Sequence, residues 1–144
     1  MAGKLPLTSR SLPIALLRAR EKVMGPIRAT LTDAGVTEQQ WRVLRVLNEQ
    51  GPMEPTQIAE QACLLLPSLT RILRKLEQKG LIDRHPDVQD RRRQKIQISR
   101  KGLNVIEANL TAILAQADRV REALGPDRHE LLLDLLGDFN TLES

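Results

Sequence analysis

Residues 66–99 read LPSLTRILRKLEQKGLIDRHPDVQDRRRQKIQIS, and this stretch decides the fold. Pro67 stands where a first helical turn tolerates a missing N–H, and Gly80 stands where helices commonly stop. The spacing therefore predicts a helix running to Lys79. At about 100° per residue, Leu69, Ile72, Leu73 and Leu76 fall on one face. Thr70, Arg71, Arg74 and Gln78 fall on the opposite face, with Lys75 beside them. After Gly80 the period changes. Residues 81–84 (LIDR) and 95–98 (KIQI) read as short strands, the second alternating apolar and polar. The polar segment from His85 to Arg93 joins them as a hairpin loop.

The flanks supply more helices. Residues 10–34 carry Leu12, Leu16, Ala19, Val23 and Ile27 at spacings of three and four, with Gly25-Pro26 expected to kink or divide the helix. Thr37-x-x-Gln40 has the form of a capping box, followed by Trp41, Leu44 and Leu47, and Gly51-Pro52 ends that helix. A short helix opens at Glu54-Pro55, with Ile58, Ala59 and Ala62 on its apolar side. From Ser99 onward, Leu103, Ile106, Leu110, Ile113, Ala117, Val120 and Leu124 form a heptad seam. Gly125-Pro126 breaks it. Asp127-x-x-Glu130 then reads as the cap of a last, leucine-rich helix ending near Leu142, apolar on more than one side and expected at a subunit interface. Helices followed by a two-stranded ribbon give a mainly α, winged helix-turn-helix fold. The 144 residues are expected to form one domain: long dimerisation helices at 10–36 and 100–144, and a DNA-binding lobe at 37–99.

Hydroxyl, guanidinium and amide groups on one helix face match what a DNA major groove offers. A solvated basic helix would look the same. Arg91, Arg92 and Arg93 at a hairpin tip repel one another unless an anion is present, and a basic finger beside a basic helix suits the negative minor groove. Asp87 and Asp90 are placed to orient these arginines. Helix and wing together, in this order, favour duplex DNA over two unrelated solvated surfaces. Pro67, Ser68, Thr70, Arg71, Arg74, Lys75, Arg91, Arg92 and Arg93 are the candidate DNA contacts. Two recognition helices in a homodimer would enter successive major grooves of a palindromic site, about one helical turn apart.

The segments Gln57-Ile58-Ala59-Glu60, Leu69-Thr70-Arg71-Ile72-Leu73, Leu76 to Ile82, Asp87 to Arg92 and Ile96 to Ser99, with Gly102, resemble the multiple-antibiotic-resistance regulator (MarR) family of dimeric transcription factors. The family's wing pattern is Asp-x-Arg-Asp-x-Arg. Asp87, Asp90 and Arg92 fit it, and Gln89 replaces the first arginine, which puts one Asp–Arg pair in question. The arginine expected in the minor groove maps to Arg92. Residues 16–21, Leu31, residues 37–42 and residues 62–70 further resemble the subgroup that regulates homoprotocatechuate (4-hydroxyphenylacetate) degradation operons. That resemblance implies a repressor of an aromatic catabolic operon, released from DNA by an aromatic carboxylate. Such a ligand needs a cation in an apolar cleft. Arg20, about 40° from Leu16 on the helix, is a candidate. Trp41 and Arg42 would line the same cleft between the dimerisation helices and the DNA-binding lobe. Arg20 pairing with a nearby acid and Trp41 packing in the core are the plainer alternatives.

Composition narrows the rest. Two aromatic residues, Trp41 and Phe139, argue against a stacking platform for single-stranded nucleic acid. A net charge of +4 suggests a polyanionic partner. The single cysteine, Cys63, forbids an internal disulfide and suggests a reducing cytoplasm; the leucines after it favour buried packing over an oxidant sensor. No signal peptide or membrane span is expected. No metal-ligand spacing appears around His85, Asp87 and Asp90, and no cofactor is expected. With two histidines, no tyrosine and no phosphate-cradling loop, an enzyme is disfavoured. A different phenolic effector, an oxidant effector, or an architectural DNA-binding protein are the rival readings.

Overall fold

Thr37 closes the start of the central helix as its sequence demands. Its Oγ1 accepts from Gln40 N and Gln40 Oε1 accepts from Thr37 N, both at 3.1 Å. Around this cap, a computed structural model describes residues 3–142. Helix α1 spans Leu12–Ala34, α2 Glu38–Gln50, α3 Pro55–Gln61 and α4 Leu66–Gln78. Strands β1 (Ile82–Pro86) and β2 (Gln94–Ile98) follow, then α5 (Arg100–Leu124) and α6 (Pro126–Asp138). Short 3-10 turns lie at Thr8–Arg10 and Phe139–Thr141.

The strands pair antiparallel, with Ile82 opposite Ile98 and Pro86 opposite Gln94. They are longer than their alternation predicts, so the loop shortens to residues 87–93. Met53, just ahead of α3, adds a bridge to Ile96, with Met53 N donating to Ile96 O at 3.0 Å and Ile96 N to Met53 O at 2.8 Å. This bridge stitches the ribbon to the helical layer.

The chain divides into two compact units. Arg28–Thr111 forms one, and the described residues on either side form the other. Among the described residues, every buried apolar side chain lies in the first unit, from Leu31 through Leu44, Ile58, Leu73 and Ile96 to Ile106. Each fully buried Leu or Ile there contributes about 1.5–3 kcal/mol. In the second unit Leu131, Leu132, Leu133, Leu135 and Leu136 on α6 are all exposed, as are Leu16 and Val23 on α1.

Three details depart from expectation. Of the kink or division expected at Gly25-Pro26, the division does not occur: α1 continues through it, 23 residues in all, since a proline removes only one backbone bond. Helix α6 is capped at Gly125, at φ +90°, with no side-chain bond, so Asp127 lies inside the first turn rather than at the cap. There it still favours the helix dipole. Cys63 is exposed, not packed, because it takes the turn between α3 and α4 at φ +55°.

The start of α5 is held under the ribbon. Ser99 Oγ donates to Gly80 O at 2.6 Å and accepts from Gly102 N at 3.1 Å. A Cβ on Gly102 would collide with Leu81 O and Ile98 Cγ1. Gly102→Ala is therefore expected to destabilise the protein by about 1–3 kcal/mol through overpacking. A thermal unfolding curve no lower than wild type would show that α5 can retreat without cost.

Candidate nucleic-acid interface

Helix α4 has the two faces its period implies. Leu69, Leu73 and Leu76 are 0%, 1% and 0% exposed and anchor it to the core. Ile72, on the flank of that face, is half-buried. Thr70, Arg71, Arg74, Lys75 and Gln78 are exposed on the other side. Arg71, Arg74 and Lys75 make no ion pair or side-chain hydrogen bond among the described residues. Three unpaired cations on one face of a single helix are a binding surface rather than an ion-pair network.

The helix also presents its N-terminal end. Pro67 is exposed and Ser68 half-buried in the first turn, and no side chain caps that turn. The partial positive charge of the helix dipole is concentrated there. Thr70 Oγ1 donates back to Leu66 O at 3.1 Å, which leaves its lone pairs facing outward. A cleft of about 330 Å³ separates this end of α4 from the wing, bordered by Thr56, Leu66 and Thr70 on one side and Arg93 and Gln94 on the other.

The wing is organised by two carboxylates. Asp87 Oδ1 accepts from Gln89 N at 2.7 Å and Asp90 N at 3.3 Å. Those two backbone donors, with Lys95 and Arg93 nearby, hold the Asp87 carboxyl below its ordinary range. Asp90 Oδ1 accepts from Arg92 Nε and from Arg92 N, both at 3.1 Å, while Oδ2 accepts from Arg92 Nη2 at 3.3 Å. The Arg92 side chain, then its backbone N–H, lowers the Asp90 carboxyl likewise. Both depressions make wing order a property of the ionised acids, complete at neutral pH and lost as pH falls through those lowered values.

The three arginines thus differ. Arg92 is 92% exposed yet held in a fork by Asp90. Arg93 is drawn inward, to Glu54 at 3.4 Å and Asp90 at 3.8 Å. Arg91 has no partner among the described residues. With Gln89 in place of an arginine, Asp87 forms its ion pair with Lys95 of β2 instead, at 3.8 Å.

The three effector candidates separate. Trp41 is 5% exposed in the core of the Arg28–Thr111 unit, and Arg42 follows it on α2. Arg42 Nη1 donates to Ala62 O at 2.9 Å and Cys63 O at 3.3 Å, while its buried Nε has no hydrogen-bond partner. Arg20 is exposed on α1, in the other unit. Sequence reasoning overlooked Glu54 and Lys95, whose wing partners lie far along the chain or across a strand, and Lys79. Lys79 Nζ donates to Gly35 O at 2.8 Å and to Gln40 Oε1 at 3.0 Å. No helix of the described chain is long and apolar enough to cross a membrane.

Known proteins share this arrangement. The MarR family pattern matches residues 36–93. The HTH-type transcriptional regulator FarR of Neisseria gonorrhoeae is 38% identical over 133 residues, covering 92% of this chain and 91% of that protein. The homoprotocatechuate degradative operon repressor of Escherichia coli is 35% identical over 132 residues, covering 92% of this chain and 89% of that protein. The crystal structure of NadR in complex with 4-hydroxyphenylacetate superimposes with a TM-score of 0.84 at 36% identity, covering 99% of this chain and all of that one. Given the cationic helix face, the carboxylate-held wing and these relatives, the chain belongs to the MarR family of DNA-binding transcriptional regulators.

Proposed function

We propose that this regulator is a homodimeric repressor of an aromatic-acid catabolic operon, released from a palindromic operator by a small aromatic carboxylate. The observation that carries the DNA half is the unpaired cationic face of α4 beside an arginine that Asp90 holds extended. Arg71 and Arg74, with Thr70, read base edges in the major groove. Pro67, Ser68 and Lys75 border the backbone there, and Arg92 enters the minor groove with Arg91 and Arg93 on the adjacent phosphates. A regulator of this kind works in the cytoplasm, alongside the DNA it reads.

The exposed leucines of α6 and the apolar stripe of α1 support the homodimer, since a lone protomer leaves them in water. A second copy covers them and sets two recognition helices at the spacing of successive major grooves. The chemistry named for two relatives supports the effector: an operon for homoprotocatechuate breakdown, and bound 4-hydroxyphenylacetate. In this chain the Arg20 guanidinium is the proposed carboxylate partner. Within the Arg28–Thr111 unit, Trp41 and Arg42 are proposed effector contacts in their own right, Arg42 through an Nε that makes no hydrogen bond there. The ligand releases DNA only to the extent that it binds the non-operator conformation more tightly.

Arg74→Ala is expected to cost about 1–3 kcal/mol of discrimination between operator and scrambled duplex. Arg92→Ala should weaken binding to many sequences alike. Fluorescence anisotropy on both duplexes checks this, and wild-type affinities for both variants would remove the helix-plus-wing reading. Competition with excess nonspecific DNA separates a regulator, whose operator complex survives, from an architectural protein, whose complex does not.

Sedimentation at micromolar concentration should show a dimer; a monomer would end the assembly part of the proposal. Titrating 4-hydroxyphenylacetate or its 3,4-dihydroxy analogue should release labelled operator, and Arg20→Ala should abolish release while keeping DNA affinity. An operator complex that persists at millimolar ligand rules out this effector class and leaves the fold untouched.

A further inference from the structure

The turn that leads into α4 and the residue that follows its last turn are both fastened to the same short run of α2. At its N-terminal side, Arg42 Nη1 donates to Ala62 O and Cys63 O, the two carbonyls at which α3 ends and the turn into α4 begins. At its C-terminal side, Lys79 Nζ donates to Gln40 Oε1 and to Gly35 O, the carbonyl following α1. Gln40 is 6% exposed, and the same Oε1 accepts from Thr37 N. A single buried amide oxygen therefore joins the cap of α2 to the end of α4. Lys101 Nζ of α5 donates to Lys79 O at 2.9 Å, and Ser99 Oγ to Gly80 O.

Two cations are thus engaged by neutral oxygens of the protein itself. Neither has an acidic partner among the described residues. A carbonyl lone pair is directional, so each contact fixes an angle as well as a distance. The leucine face fixes which side of α4 is buried, but apolar contacts are less directional than hydrogen bonds and resist small shifts along and about the helix axis less sharply. Base readout does not tolerate that, since bidentate contacts need the side chain placed within about 0.5 Å.

We infer that Arg42 and Lys79 are positioning residues for sequence readout: they hold the two ends of the recognition helix to α2, so that Gln40-Trp41-Arg42 sets its register against the bases. They touch no DNA. Their loss leaves the cations of α4 and the wing in place and removes the alignment those cations need. Trp41, between the two anchoring residues, is buried where a shift of α2 would move both ends of α4 together.

The inference rests on α4 reading DNA as proposed above, and the experiment separates the two. A palindromic duplex selected in vitro by the wild-type protein is compared with its scrambled version, for Lys79→Met, Lys79→Arg, Arg42→Met and Arg74→Ala, across a salt series. Thermal unfolding is recorded for each variant. Lys79→Met is expected to lose about tenfold in affinity for the selected duplex, the scale of one base contact. It should change less than about twofold on the scrambled duplex, with an unchanged salt slope. Lys79→Arg should recover much of the loss.

Equal losses on both duplexes, with a salt slope reduced by about one, would make Lys79 a phosphate contact and overturn the inference. A loss that disappears on cooling below a lowered unfolding midpoint would reduce its role to fold stability and overturn it too. If Arg42→Met fails to fold, Lys79→Met, altered at an exposed side chain, still decides the matter. Intact discrimination in Arg74→Ala would mean that α4 does not read bases. Lost discrimination in Arg74→Ala beside an intact Lys79→Met would sink the positioning role alone.

Discussion

The exposed cationic face of α4 depends on the burial of Leu69, Leu73 and Leu76 against the core formed by α2, α3 and β1. These side chains determine which half of α4 faces water. Because they are spaced four and three apart, positions 70, 71, 74, 75 and 78 on the opposite side are obliged to point outward, whatever their chemistry. Substitutions at those positions change the chemistry of the exposed face without touching the core. The core, in turn, cannot lose one of the three leucines without leaving a cavity and freeing the helix to tilt.

That division was legible in the sequence because it is periodic. So were the capping box at Thr37, the glycine ending α4 and the change to strand spacing at Leu81. What stayed hidden was pairing. Nothing local says that Asp90 rather than Asp87 takes Arg92, or that Arg93 turns away to Glu54, 39 positions earlier. Nor does anything local say that the Arg42 guanidinium reaches the carbonyls of Ala62 and Cys63, in a turn 20 residues downstream. Cys63 looked buried because leucines follow it, but the turn between two helices needs one residue at positive φ, and that residue is placed outside. Asp127 was displaced from the cap because Gly125 reaches φ +90° without strain.

The two units also differ in how they satisfy their apolar residues. The Arg28–Thr111 unit closes over its own core, with Gly102 allowing the start of α5 to approach the ribbon. Among its described residues, the other unit exposes most of its leucines and buries no apolar side chain as completely. A heptad seam and a leucine-rich helix are ambiguous in sequence, since they describe the face of a helix and not what covers it.

The wing loop contains no apolar anchor. Val88, its lone hydrophobic residue, is 95% exposed, and the loop keeps its shape through carboxylates bonded to backbone N–H groups and to arginine. Mobile ions screen such exposed attractions over about 8–10 Å. Ionic strength then acts on this protein twice. It weakens the attraction of the wing's cations for any polyanion, and it loosens the scaffold that orients those cations. The wing is a part whose rigidity, and not only its affinity, is set by the electrolyte around it.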